Sequence, residues 1–399
     1  MNMRKTALAC AIGACSLAAM STAHAIEMDA GDWTFSFSGN INVHYIMSSC
    51  EDAAAPVAGG TACLAAGGED KSSSVSNGLL PAALSLGAST TQNGYDLAVH
   101  FGLYPGISTN DGGSPNLGGT NTGLGTTGLD VRQVFMTFGN NDMGTFTLGR
   151  NFGLFGFDAI INDMTIPGVG AGNGNYASPA NTSLGSIGMG YIYTDTLGQM
   201  NYTTPSFGGL TATLGVFDPL EPIGAAATPK SAPGFHGKLA YTAGGLYLSA
   251  AGLTQKVNDP GVAEYTSHAF DVGGKFSVGD LALMAYYYNA KGVGTTALYL
   301  LGYDAAGNTR DSDGFIAQAT YQIADTKLGV NYGKSNLDRA SGEAASALVK
   351  SNSKVTVGVY HSLTANLMLV AEFSDVQSKA HDNSKNDSNS FNVGAFLSF

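Results

Sequence analysis

The stretch WTFSFSGNINVHY, from Trp33 to Tyr45, alternates apolar and polar side chains residue by residue. Its apolar positions are Trp33, Phe35, Phe37, Ile41, Val43 and Tyr45, and its polar positions are Thr34, Ser36, Ser38, Asn40, Asn42 and His44. A period of two places these sets on opposite faces of a β-strand. A soluble sandwich would bury the apolar face, whereas a membrane barrel would turn it outward, against lipid or a neighbouring subunit.

The same alternation recurs along the chain and predicts seventeen candidate strands. They span residues 33–47, 79–90, 95–104, 130–139, 144–152, 189–196, 199–206, 209–217, 234–243, 246–257, 266–278, 281–291, 313–324, 327–336, 354–364, 367–378 and 389–399. The candidate at 189–196 is either the end of a long loop or part of the strand through Tyr202. Merging those two candidates leaves sixteen strands, an even number as expected for a bacterial single-chain barrel.

The predicted connections alternate between short and long. Seven short ones have the Asn-Gly, Gly-Gly and Gly-Asp chemistry of hairpin turns. Eight long ones, rich in Gly, Asn, Ser, Asp and Pro, lie near 48–78, 105–129, 153–190, 218–233, 258–265, 292–312, 337–353 and 379–388. This alternation predicts an all-β fold: a single 16-stranded antiparallel transmembrane barrel over residues 26–399, with both termini on the short-turn side.

The N-terminus has the features of a cleaved signal peptide over residues 1–25. Arg4 and Lys5 precede an apolar stretch, and Ala23-His24-Ala25 supplies a small-x-small cleavage site. We therefore expect export to the outer membrane of a Gram-negative bacterium. No later apolar run approaches the roughly 18–20 residues that a membrane-spanning helix needs.

Composition and motifs exclude several function classes. The net charge of −12 argues against nucleic-acid binding, which requires a basic surface. The histidines are scattered without ligand spacing, so we expect no metal and no cofactor. His44 and His100 instead fall on the polar faces of their strands and are predicted to line the lumen. Cys50 and Cys63 are close in sequence in an exported chain, which predicts a disulfide in the first long loop.

Three segments resemble the trimeric general porins of Gram-negative bacteria. The C-terminal run FNVGAFLSF places Leu397 and the terminal Phe399 on one apolar face, similar to the strand read by the outer-membrane assembly machinery. The run from Arg132 to Met136, followed by GTFTLGRNFG with Arg150, is similar to the paired strands that carry porin wall arginines. Asp158 and Asp163, followed by Pro167, are similar to the porin loop that folds into the lumen.

The resemblance implies a homotrimer in outer-membrane lipid that forms a water-filled channel for small hydrophilic solutes and ions. It also implies a constriction loop whose Asp158 and Asp163 face Arg150 and Arg132. Many family members carry Pro-Glu-Phe-Gly-Gly at the loop tip, whereas this chain has Gly168 in place of the acid. We therefore expect only modest selectivity, with cations slightly favoured.

Residue parity conflicts with part of that assignment. Arg150 shares its parity with apolar Phe146 and Leu148, and Arg132 shares its parity with Val134, so strict alternation would turn both arginines away from the lumen. Either a local bulge re-aims them, or they face a subunit interface. The alternatives to a general pore are a substrate-specific channel, a barrel enzyme and an adhesin. His361-Ser362 is an adjacent His/Ser pair, and it is interpreted as a strand end rather than a catalytic pair.

Overall fold

The computed structural model of the protein describes residues 25–63, 69–107, 129–172, 181–223, 225 and 230–399. Within them, eighteen antiparallel strands form one sheet that closes on itself. The strands are β1 (Ile26–Ala30), β2 (Trp33–Cys50), β3 (Lys71–Ser76), β4 (Ala83–Gln92), β5 (Tyr95–Pro105), β6 (Leu129–Asn140), β7 (Gly144–Phe152), β8 (Thr196–Thr203), β9 (Leu210–Phe217), β10 (Gly234–Ala243), β11 (Leu246–Asp259), β12 (Ala263–Val278), β13 (Leu281–Lys291), β14 (Asp311–Ile323), β15 (Thr326–Leu337), β16 (Val349–Ser362), β17 (Leu367–Ala380) and β18 (Lys385–Ser398). A short helix, α1 (Phe157–Asn162), lies between β7 and β8. The predicted signal peptide lies outside the described residues, apart from Ala25.

These segments make sixteen wall strands within the described chain. β3 and β4 pair with successive parts of the same neighbour, since Ser76 lies opposite His44 and Ala83 lies opposite Asn40. They therefore form one wall strand that is interrupted between them. β1 is a short arm that forms a hairpin with the start of β2. The predicted 16-stranded antiparallel barrel is confirmed, and β18 closes it by pairing with β2.

The outer face of the wall is apolar, whereas the inner face is largely polar apart from an apolar cluster beneath the inner loop. On β2, Ile41 is 52% exposed, whereas His44 is fully buried at 0%. The same alternation reaches the C-terminal strand, where Leu397 is exposed and Phe399 packs its ring 5.3 Å from that of Phe37. An exterior of this kind is stable where lipid replaces water around the wall.

The strand boundaries differ from the prediction in specific places. The segment 189–196 is not a strand, because β8 begins only at Thr196. β1 and β3 were not predicted. β3 has the sequence KSSSVS, whose polar composition is typical of a loop. The loops predicted near 258–265 and 379–388 shrink to tight turns, because the polar residues at the ends of β11, β12, β17 and β18 extend the strand pairing beyond the apolar band.

In the described part of the chain, no helix has the length and apolar character required to span a bilayer.

Candidate functional site

The longest loop of the barrel folds into its interior. We call residues 153–195 the inner loop, of which 153–172 and 181–195 are described. Its backbone is hydrogen-bonded to widely separated parts of the wall: Met164 N donates to Gln318 on β14 at 2.9 Å, and Gly190 N donates to Ser335 on β15 at 3.0 Å. On the opposite side, Asn181 donates to the Tyr104 carbonyl at the end of β5 at 2.9 Å. The prediction that this loop folds into the lumen is confirmed.

Apolar packing holds both the beginning and the end of this loop against the wall. Phe155, Tyr191 and Ile192 are at most 1% exposed and belong to one cluster with Tyr288 of β13. The rings of Phe155 and Tyr288 meet edge to face, with centroids 6.4 Å apart. Each such side chain stabilises the docked loop by about 1.5–3 kcal/mol relative to an exposed position. The inner loop is therefore a packed part of the barrel.

Asp158 lies on α1, which begins after Gly156 in the left-handed conformation. The family resemblance implied an arginine opposite this carboxylate, but no arginine is bonded to it in the described chain. Instead it forms an ion pair with Lys238 Nζ on β10 at 2.8 Å and accepts a hydrogen bond from Tyr247 OH at 2.9 Å. Both side chains of the pair are shielded from solvent, at 6% and 16% exposed, so breaking one partner would leave an uncompensated charge.

Asp163 follows α1 and organises the next turn of the inner loop. Its carboxylate accepts hydrogen bonds from Thr165 N at 3.0 Å, from Thr165 Oγ1 at 2.8 Å and from Tyr191 OH at 2.8 Å. The residue is 3% exposed. Asp163 therefore links the turn after α1 to the returning segment of the inner loop at Tyr191. Neither Arg132 nor Arg150 is among its hydrogen-bond partners in the described chain.

Arg132 faces inward because of a β-bulge. Between β5 and β6 the register passes from Gly102 opposite Gln133 directly to Leu103 opposite Val131, so Arg132 is the extra residue. Such a bulge lets two consecutive side chains point to the same face. Arg132 Nε forms an ion pair with Asp130 at 2.6 Å, and its Nη2 donates to Asn181 of the inner loop at 3.1 Å. Residue parity left two alternatives for Arg132, a local bulge or a place at a subunit interface, and the register with β5 shows the bulge.

Arg150 lies on the outer face of β7, whereas the family resemblance implied a place at the constriction. β7 keeps unbroken register with both neighbours, with Arg150 opposite Val134 of β6 and Gly198 of β8. Val134 is exposed on the outside of the wall, and Arg150 is exposed beside it. No bulge resets the alternation here, so strict period-two geometry turns the guanidinium away from the lumen.

The two predicted lumen histidines lie on the inner face but are covered. His44 is 0% exposed and lies beside Gly78 and Gly394, which leave room for its ring. His100 is also buried, with its ring 5.0 Å from that of Phe135. The predicted Cys50–Cys63 disulfide is present and closes part of the first long loop. Within the described residues, no three His, Cys, Asp or Glu side chains are grouped to hold a metal.

Several charged wall residues were missed. Glu372 on β17 is 1% exposed and accepts hydrogen bonds from Val169 N at 2.7 Å, Gly170 N at 2.8 Å and Tyr360 OH at 2.7 Å. Lys354 on β16 is fully buried and interacts electrostatically with Glu372 and Asp163. Lys238, Lys275 and Lys327 also point inward from their strands. All five lie at the alternate positions that form the polar face of a predicted strand, and that pattern could have identified them.

Comparisons with known proteins agree with this architecture. The sequence profile of the Gram-negative porin family matches residues 6–381. The chain is similar to the solved anion-selective porin from Comamonas acidovorans, with TM-score 0.63 and 14% identity, covering 92% of this chain and 100% of that one. It is also similar to the outer-membrane channel DcaP of Acinetobacter baumannii, with TM-score 0.67 and 15% identity over 94% and 100% of the chains. Salmonella typhi OmpF, solved with daunomycin, gives TM-score 0.61 and 13% identity over 94% and 100%. No curated protein matches the sequence.

Proposed function

Because this chain belongs to the Gram-negative porin family, and is therefore an outer-membrane channel for small solutes, we propose that it is a passive-diffusion pore whose inner loop sets the passage. The observation that carries this proposal is the docking of the inner loop on β14, β15 and β17 through backbone hydrogen bonds. A loop fixed in this way narrows the lumen without a conformational change. The family assigns a channel to this barrel rather than an enzyme.

Single-channel recording in a planar lipid bilayer tests the proposal. We expect stepwise, ohmic current in KCl that is carried by both ions, as for a water-filled passage. A folded barrel that inserts and conducts no ions would contradict it. A channel that conducts ions but excludes uncharged sugars whose size is similar to that of the ions would favour the substrate-specific alternative.

We further propose a homotrimer that reaches the outer membrane by way of an N-terminal signal peptide and the barrel assembly machinery. The outer face of β2 presents Phe35, Ile41 and Tyr45, each more than 40% exposed, which suits a subunit interface at least as well as lipid. The exposed Leu397 and the terminal Phe399 supply the C-terminal assembly signal. Crosslinking in mild detergent should give a trimer, and a protein that remains monomeric there would contradict this part.

Selectivity is proposed to be modest. The acids Asp158, Asp163 and Glu372 are each held by hydrogen bonds inside the barrel, so they act as anchors of the inner loop as well as charges. With Arg150 on the outer face, the basic side of the passage consists of Arg132 and the wall lysines. The net negative charge of the chain favours cations, but salt screens charges in the outer loops beyond about 8–10 Å.

A further inference from the structure

A chamber with both polar and apolar lining lies between the underside of the inner loop and the wall formed by β12 to β15. It has a volume of about 350 Å³ and is lined by Asn162 and Pro167 of the inner loop, and by Lys275, Lys327 and Gln318 of the wall. Gly279 and Asp280, in the turn between β12 and β13, place it at the short-turn end of the barrel. Its volume is that of a small-ligand site.

Two lysines line this chamber. Lys275 on β12 and Lys327 on β15 both point inward, and they are close enough to repel each other electrostatically. Lys327 Nζ also lies 4.7 Å from the centroid of the Tyr360 ring, which fixes its side chain along the wall. Two ammonium groups in one partly enclosed space raise the local positive potential, which an anion would relieve.

The chain does not neutralise this pair in the way it neutralises Lys238 and Arg132. Lys238 has Asp158 at 2.8 Å and Arg132 has Asp130 at 2.6 Å. Within the described residues, neither Lys275 nor Lys327 has a carboxylate oxygen within 4.0 Å, the ion-pair distance.

The acids nearest this chamber are already engaged or peripheral. Asp163 accepts hydrogen bonds from Thr165 and Tyr191. Glu372, which attracts Lys327 at longer range, has its oxygens bonded to Val169, Gly170 and Tyr360. Asp280 is exposed in the turn at the chamber's edge.

We propose that Lys275 and Lys327 form a binding subsite for a small oxyanion, a carboxylate or a phosphate, on the short-turn side of the constriction. Each ammonium group offers three donors without a fixed geometry, so the pair suits oxyanions of different shape. The hydroxyls of Ser277 and Thr320, which line the same chamber, add neutral donors. A multivalent anion would bridge both lysines and interrupt the current while bound. This inference rests on the proposed function, because it requires a conducting channel.

Block of single-channel current by citrate, and separately by inorganic phosphate, tests the subsite. The anion is added to both sides of the bilayer, at constant ionic strength, so that channel orientation does not matter. We expect brief interruptions in the wild type, and an inhibitory concentration raised roughly tenfold or more in the Lys275→Gln/Lys327→Gln double variant, since two charge-assisted contacts are lost. Lys334→Gln is the control: it removes one lysine charge, where the double variant removes two, and it does so on the outer face of β15, opposite exposed Phe315.

The outcomes separate the subsite from the channel itself. Block by either anion that is weakened in the double variant and unchanged in Lys334→Gln supports the subsite. A wild-type channel that conducts but is blocked by neither anion, or that is blocked equally in all variants, overturns the subsite and leaves the pore intact. A well-folded protein without conductance overturns the proposed function, and the subsite with it. Lys275→Arg, which keeps the charge, should retain block and so distinguishes lost charge from disturbed folding.

Discussion

The carboxylate of Glu372 occupies the space that a side chain at Gly168 would need. A Cβ built on Gly168 would overlap Oε1 of Glu372, and Oε2 of the same carboxylate accepts the backbone N–H groups of the next two residues, Val169 and Gly170. Where related loops carry an acid at the tip, this chain has a glycine, and the wall supplies the carboxylate instead. The inner loop is thus fastened to β17 by a charged group that reaches it from outside the loop.

Gly168→Ala should displace the loop tip. The added methyl group meets the buried carboxylate of Glu372, and overpacking of this kind costs about 1–3 kcal/mol. We expect an altered single-channel conductance and greater cleavage of the inner loop by added protease, with the barrel still folded. Gly198→Ala is the control, because among the described residues a Cβ there would have only Asp218 within 4 Å, at 3.8 Å. Identical conductance and cleavage in the two variants would contradict the fastening role of Glu372.

The Asp158–Lys238 ion pair should keep α1 still. Asp158→Asn leaves the Lys238 ammonium without its partner in a shielded position, and loss of one member of a buried pair costs about 3–5 kcal/mol. We expect increased current noise from motion of α1. The Asp158→Asn/Lys238→Met double variant should be quieter than Asp158→Asn alone, because no buried charge remains unpaired. Equal noise in wild type and Asp158→Asn would mean that this pair does not restrain the loop.

Arg132 and Arg150 should differ in their effect on ion preference although the charge removed is the same. Arg132 faces the lumen through its bulge, so Arg132→Gln should shift the reversal potential in a KCl gradient toward cation preference. Arg150 lies on the outer face, so Arg150→Gln should leave the reversal potential unchanged. A larger shift in Arg150→Gln than in Arg132→Gln would reverse the assignment of the two faces.

The Arg310–Glu343 pair should make the outer loops sensitive to acid. Arg310 Nε donates to Glu343 Oε2 at 2.9 Å, and Arg310 Nη1 donates to the carbonyls of Leu301 and Tyr303, which joins two loops. The hydrogen bond from Arg310 lowers the pKa of Glu343 below its ordinary value of 4.5. Because the pKa is lowered by folding, the pair's stabilisation is fully present above that ordinary value and is lost as pH falls through the lowered pKa.

Limited proteolysis of the loops over residues 292–310 and 338–348 measures this effect. Cleavage should increase on acidification below about pH 4.5, and Glu343→Gln should show increased cleavage already at neutral pH. Glu264→Gln is the control, since Glu264 pairs with Lys256 at the rim of the barrel between two adjacent strands and joins no loops. A pH-independent cleavage rate in the wild type would show that the pair does not hold these loops together.

The wall could be predicted from sequence because a strand in a barrel depends on a local period of two. Ile41 and His44 face opposite sides for that reason alone. β3 was missed because its KSSSVS sequence pairs with β2 through backbone groups, and the pattern of side chains does not indicate such pairing. The boundaries of the turn after Asp259 were also missed. Polar residues predicted a loop there, but they continue the pairing of β11 with β12.

The contacts of the inner loop could not be predicted in the same way. Asp158 pairs with Lys238, which is 80 residues away in the sequence, and Gly170 is bonded to Glu372, which is 202 residues away. Nothing in the local sequence specifies either pair. The bulge at Arg132 was one of two alternatives that parity left open, and only the register with β5 decides between them. The inward direction of Lys354 and Glu372, by contrast, was available from parity alone.

Excision of the inner loop tests the central claim, that this loop narrows an otherwise open barrel. Phe152 and Thr196 lie opposite each other at the ends of β7 and β8, so residues 154–194 can be replaced by a short Gly-Ser turn without disturbing the wall. Shortening of the loop over residues 338–348 is the matched control. The account predicts a single-channel conductance several-fold above wild type for the excised inner loop, and an almost unchanged conductance for the control. An excised variant that is folded and conducts no more than wild type would contradict the account.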